Sequence, residues 1–136
     1  MIRPIMKDVI FLSQKAEQAT KKDRAIGQDM LDTLAAHQEE CVGMAANMIG
    51  ENKAIIVCTL GSRNVLMYNP TIIRKACPFE TEEGCLSLTG QRSCLRYKEI
   101  EVVYFDESFR KKKEKFSGWD AQIIQHECDH LAGIII

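Results

Sequence analysis

The segment that most restricts how this chain can fold is QHECDH, residues 125 to 130, which lies within Trp119 to Leu131, a stretch free of glycine and proline. Trp119, Ile123, His126 and His130 recur there at i, i+4, i+7 and i+11, the spacing of one face of an α-helix. Residues four apart stand about 40° from each other around a helix axis, so His126 and His130 can turn their imidazoles onto one ion. Glu127 lies at the edge of that face, where a carboxylate can serve as general base without being obliged to ligate. Cys128 is about 200° from His126 and points away. The chain has only three histidines. Two of them fall in an HExxH pattern on a helix, which favours a metal site over incidental surface histidines. His37, alone on a polar helix face, supports no such reading.

Two imidazoles do not complete a metal site, since a catalytic centre usually has three protein ligands and one open position. Only LAGIII follows His130, and none of those side chains can ligate. The third donor therefore comes from earlier in the chain. Thiolate suits zinc or ferrous iron, but spacing alone leaves Cys41, Cys58, Cys77, Cys85 and Cys94 all open.

The rest of the chain builds what the helix packs against. From Asp23 to Glu40, Ile26, Met30, Leu31, Leu34 and Ala35 mark an amphipathic helix. CVGMAANMIG follows, a small apolar segment in which Gly43, Ala45 and Ala46 permit close approach of backbone or ligand. Ala54 to Leu60 and Val65 to Tyr68 read as short strands, with a turn at Asn69-Pro70. Thr71 to Ala76, Cys85 to Leu88 and Ile100 to Phe105 continue a β-rich middle. Gly118 closes it before the last helix. Helix, strands, then helix predicts an α+β fold of one domain, residues 1 to 136, with mainly antiparallel strands packed around a C-terminal metal-binding helix.

Several function classes are disfavoured. The formal net charge of −1 provides no basic field for nucleic acid as a bulk polyanion. The basic run RKKKEK, Arg110 to Lys115, sits between apolar segments and is broken by Glu114, as in a solvated hairpin. No apolar run approaches the ~18 residues of a membrane span. Asp8 interrupts any signal-peptide core, so a cytoplasmic protein is expected. In that reducing setting the six cysteines are packed residues or metal ligands rather than disulfides.

Cys85 stands in EGCLS, Glu83 to Ser87, and at this point the chain resembles the peptide deformylases. That family has three ordered motifs: a segment of the form GφGφAAxQ, then EGCxS, then QHExDH. Here the second and third read EGCLS and QHECDH, and the first reads CVGMAANM, residues 41 to 48. The resemblance implies a bacterial cytoplasmic hydrolase that removes the N-formyl group from the initiator methionine of newly made proteins. It implies Cys85, His126 and His130 as ligands of one divalent metal ion, ferrous iron in most members, with zinc, nickel or cobalt able to replace it. Glu127 would handle the proton, and the backbone N–H of Leu86 would face the developing oxyanion. Substrate backbone would lie along Val42, Gly43 and Gly84 as an added strand. Trp119 and Ile123 are candidates for the wall of the methionine pocket, and Arg92 matches a family arginine near the substrate.

Motif one departs from the pattern twice. Met48 replaces the glutamine that supplies a second oxyanion donor, and losing a donor of this kind typically costs about a hundred- to a thousandfold in turnover. An alternative is therefore a deformylase-like protein that binds metal and peptide N-termini with little turnover. Cys41 replaces the first glycine and reads as a packed cysteine. Family members commonly extend beyond the last helix, and apolar surface left there is compatible with an oligomer.

Overall fold

Ile55 to Leu60 contains four consecutive fully buried residues, Ile55, Ile56, Val57 and Cys58, a run that only a strand covered on both faces can satisfy. In the computed structural model, which describes residues 1–85 and 88–134, this strand is β2. It lies inside a five-stranded antiparallel sheet ordered β1-β2-β3-β4-β5. The strands are β1 Gly43–Ala45, β2 Ile55–Leu60, β3 Arg63–Cys85, β4 Leu88–Phe105 and β5 Lys111–Ser117. The helices are α1 Val9–Leu12, α2 Arg24–Ala36 and α3 Gly118–Leu131. This is the α+β arrangement expected from the sequence.

The alternation within β2 divides the core in two. Ile55 and Val57 join Met30 and Leu34 of α2, with Leu66 and Tyr68. Ile56 and Cys58 join Ala121, Ile123 and Ile124 of α3, with Val102 and Tyr104. One helix thus covers each face of the sheet, and α3 is the one bearing the histidines. Cys128 packs against the α3-side cluster, on the opposite side from the histidine face as its spacing predicts.

The expected turn at Asn69-Pro70 is instead an irregularity within a continuous β3. The register against β4 shifts between Tyr68 and Thr71, and Asn69 takes φ 50°, a left-handed conformation that asparagine tolerates. Its side chain is held at both ends, Oδ1 accepting from Ala19 N at 2.7 Å and Nδ2 donating to Ala19 O at 2.9 Å. Cys85 and Leu88, expected in a separate strand, end β3 and begin β4, paired with each other at the tip of a long hairpin. The basic run is edge strand β5, whose lysines discourage pairing with a second sheet. Helix α2 stops at Ala36, short of Glu40, and His37 Nδ1 lies 3.0 Å from Glu40 Oε1.

Candidate metal centre

Gly118 adopts φ 60°, the left-handed conformation glycine takes without strain, and turns the chain from β5 into α3. The helix then lies against the sheet with His126 and His130 buried at 8% and 2% exposure. Their Nε2 atoms are 3.1 Å apart. Cys85, at the end of β3, completes a set whose ligand atoms all fall within 4.8 Å of one another. Donors bound to one ion at 2.0–2.3 Å stand roughly 3 to 4 Å apart, so one sulfur and two nitrogens in this arrangement fit a single divalent metal.

His126 is oriented from behind. Its Nδ1 lies 2.7 Å from Glu83 Oε1, so that Nδ1–H donates to the carboxylate and Nε2 is left as the metal-facing lone pair. Glu83 is itself buried, and its carboxylate is gripped by Arg96, with Nε at 3.0 Å from Oε2 and Nη2 at 2.7 Å from Oε1. Gln122 Nε2 donates to Oε2 at 2.8 Å. Arg96 is 3% exposed and reaches Asp129 Oδ2 with Nη1 at 2.6 Å. Burial alone would raise the Glu83 pKa, but the hydrogen bonds from His126, Arg96 and Gln122 outweigh it and hold the pKa at about 2.

Sequence reasoning did not identify Arg96, Gln122 or the role of Glu83. Their only linear signal is Glu83's place inside EGCLS, because an ion pair between opposite arms of a hairpin leaves no periodic trace. Gln125, the first residue of QHECDH, is also structural: Oε1 accepts from Tyr97 N at 2.8 Å and Nε2 donates to Tyr97 O at 2.7 Å, fastening α3 to β4. Asn47 Nδ2 donates to His130 O at 3.0 Å, which secures the other end of the helix to the short 3-10 turn Ala46–Ile49.

Glu127 is 4% exposed, and its Oε1 has no hydrogen-bond partner among the described residues. Burial pushes its pKa up to about 7, against the lowering effect of His126. Although burial opposes it, the hydrogen bond with Cys85 and the nearby Glu127 and Glu83 carry the His126 pKa up to about 10.

The carboxylate opens onto a cleft of ≈ 730 Å³. Val42, Gly43, Met48, Gly84, Cys85, Trp119, Ile123, His126 and Glu127 all line it, so the structure brings together most of the residues singled out by sequence. Gly43 is required by close approach, since a Cβ there would stand 2.8 Å from Glu127 Oε2 and 3.1 Å from Ile123 Cγ2. Ile123 is buried, whereas Trp119 is 59% exposed at the rim. Arg92 pairs opposite Glu83 in the β3–β4 ladder and is not part of the cleft lining, where Gly90 and Gln91 stand instead. Leu86 lies outside the described residues. Met48 is buried to 1% and its Sδ accepts from Ala45 N at 3.4 Å, so the side chain caps its own turn and offers no donor.

The family model for polypeptide deformylase matches residues 2–136. The chain belongs to this deformylase family. It is 57% identical over 136 residues to a peptide deformylase of Clostridium beijerinckii, with all of both chains covered. It is 39% identical to one of Picosynechococcus, covering 91% of this chain and 71% of that one. Among solved structures, the peptide deformylase of Thermotoga maritima superposes with a TM-score of 0.89 at 28% identity, covering 99% of this chain and 95% of that one. One from Synechococcus elongatus, in complex with actinonin, gives 0.85 at 32% identity, covering 97% and 74%. No helix among the described residues of this deformylase is long and apolar enough to cross a membrane.

Proposed function

We propose that this deformylase hydrolyses the N-formyl amide on the N-terminal methionine of newly made proteins, releasing formate and a free amine. The observation that carries the reading is Glu127, a buried carboxylate whose Oε1 has no partner among the described residues, in the same cleft as the sulfur and imidazole donors. Cys85, His126 and His130 would hold a divalent ion, which would supply a Lewis acid able to polarise a carbonyl and to make water acidic near neutral pH. Glu127 Oε1 accepts the proton of the attacking water and returns it to the departing amine nitrogen. Glu83 fixes the His126 ring so that Nδ1 keeps its proton throughout. Peptide backbone lies extended along Val42, Gly43 and Gly84, and the methionine side chain rests against Ile123 and Trp119. Ferrous iron is taken as the native ion, with zinc, nickel and cobalt suited to the same mixed thiolate and imidazole donors.

Met48 favours a second reading, in which the protein binds metal and formylated N-termini but turns over slowly. Its sulfur is committed to Ala45 N–H, and it cannot donate to an oxyanion. The test is formate release from a formylmethionyl peptide by anaerobically purified protein loaded with ferrous iron or nickel. Activity lost in Glu127→Ala and raised in Met48→Gln supports hydrolysis. A metal-loaded parent that binds the peptide tightly and releases no formate overturns it in favour of the second reading.

A further inference from the structure

The strand that would receive an extended peptide carries a chemical feature of its own. β1 is the first strand of the sheet and, among the described residues, pairs only with β2. Thr59 N donates to Val42 O at 2.8 Å, and in the ladder Gly43 stands opposite Cys58. Hydrogen-bonded and non-hydrogen-bonded pairs alternate along an antiparallel ladder. Val42 with Thr59 is a bonded pair, so Gly43 belongs to a non-bonded one and its C=O and N–H face away from β2, toward the open edge. That edge borders the cleft, and the next outward-facing group in it, Ala45 N–H, is already taken by Met48 Sδ.

The Gly43 carbonyl is not open in this protein, because Cys41 Sγ lies 2.9 Å from it as donor. Cys41 and Gly43 both line the cleft, and Gly43 rests directly against the buried carboxylate of Glu127. Burial keeps the thiol protonated, with a pKa pushed up to about 12 despite its contact with the carbonyl. A hydrogen is therefore available to donate.

We propose that the Cys41 thiol occupies the acceptor to which an incoming substrate strand delivers its N–H, so that a bound formylated peptide displaces an S–H···O bond. This makes Cys41 a positioning residue that sets how strongly the edge strand takes up peptide; it rests on the deformylase reading for the identity of that peptide. A thiol is a weak donor, so the substrate amide prevails, yet every binding event gives up the contact. The loss is the same in the bound ground state and in the transition state, so it acts on KM and not on kcat.

Two measurements on the metal-loaded full chain decide the matter. In formate-release kinetics, Cys41→Ala frees the carbonyl and should lower KM about two- to fivefold, while Cys41→Ser installs a stronger donor and should raise it, with kcat held within about twofold. A cysteine that only fills space gives no such order, because serine is the closer replacement in volume, and any order other than Ala below Cys below Ser overturns the proposal. The second measurement is the infrared S–H stretching band of Cys41, isolated as the difference from Cys41→Ala, in a Glu127→Gln background that holds a formylmethionyl tripeptide without cleaving it. The band should move to higher frequency on peptide addition as the thiol is released. A band unmoved by saturating peptide sinks the proposal, whereas absence of formate from every variant sinks the deformylase reading instead.

Discussion

At the scale of single residues, what the sequence discloses is what repeats or clusters along it. His126, His130 and Glu127 are adjacent in a helical pattern, and Cys85 sits in a contiguous motif, so each could be named from the linear chain. Glu83 and Arg96 are as deeply buried as the two histidines, but twelve residues separate them along the chain, and a charge there looks like any solvated strand residue. Arg92 drew attention through its nearness to EGCLS, while the side chain that reaches the carboxylate is that of Arg96, four residues further along the same strand face. The buried network gives a sharp expectation for Glu83→Gln. Removing the charge leaves Arg96 buried with one partner fewer, at a cost on the order of 3 kcal/mol, and loosens His126 enough to weaken metal binding about 10- to 100-fold. The folded pKa of about 2 lies below the ordinary 4.5. The stabilisation is therefore fully present above about pH 4.5 and is lost as pH falls toward 2. Urea denaturation of metal-free protein should show the parent's advantage at pH 7 and its narrowing through that window. An advantage independent of pH contradicts the ion-pair assignment. Gly43→Ala tests the close approach to Glu127. Displacing the carboxylate should cut kcat about a hundredfold while leaving metal content unchanged, as assayed by formate release beside metal analysis.

Among the elements, the last helix and the buried strand β2 were visible because their apolar patterns are long and uninterrupted. The hairpin of β3 and β4 was only partly so. Its outer half, residues 74–85 against residues 88–99, is polar on both faces and carries no period of two to read. Its inner half was cut at Asn69-Pro70, where local turn preference is overruled by an asparagine side chain clasping Ala19. The docking of α3 onto β4 depends on a comparable side-chain clasp, that of Gln125 on Tyr97. Replacing Gln125 by Leu keeps the volume but strands the N–H and C=O of Tyr97, which should cost about 1–3 kcal/mol for each group left buried. Hydrogen exchange provides the check: the Tyr97 amide should lose protection while amides in β2 keep theirs relative to global stability. Unchanged protection at Tyr97 means that water or β4 itself replaces the clasp.

For the molecule as a whole, the metal donors add a second tie between the tip of β3, through Cys85, and the buried face of α3, through His126 and His130, beside the hydrogen bonds from Glu83 to His126 and Gln122. Around them, the carboxylates of Glu83 and Glu127 lie in a poorly solvated setting that favours a cation in the folded state. An ion that binds only the folded chain stabilises it by about 4 kcal/mol when free metal stands a thousandfold above its Kd. For a chain of this length, that corresponds to a rise in Tm of roughly 10–20 °C. Chelation of metal-loaded protein should therefore lower Tm by that margin, and readdition of nickel or cobalt should restore it. Cys85→Ala removes the one donor that the sheet supplies among the described residues, so its Tm should respond weakly to chelator and to metal alike, even if its fold is intact by circular dichroism. Scanning calorimetry of parent and variant, each with and without chelator, separates a metal that braces the hairpin against the helix from one held by the two histidines alone. In the latter case the parent and Cys85→Ala would shift equally, and the sheet would have no share in holding the ion.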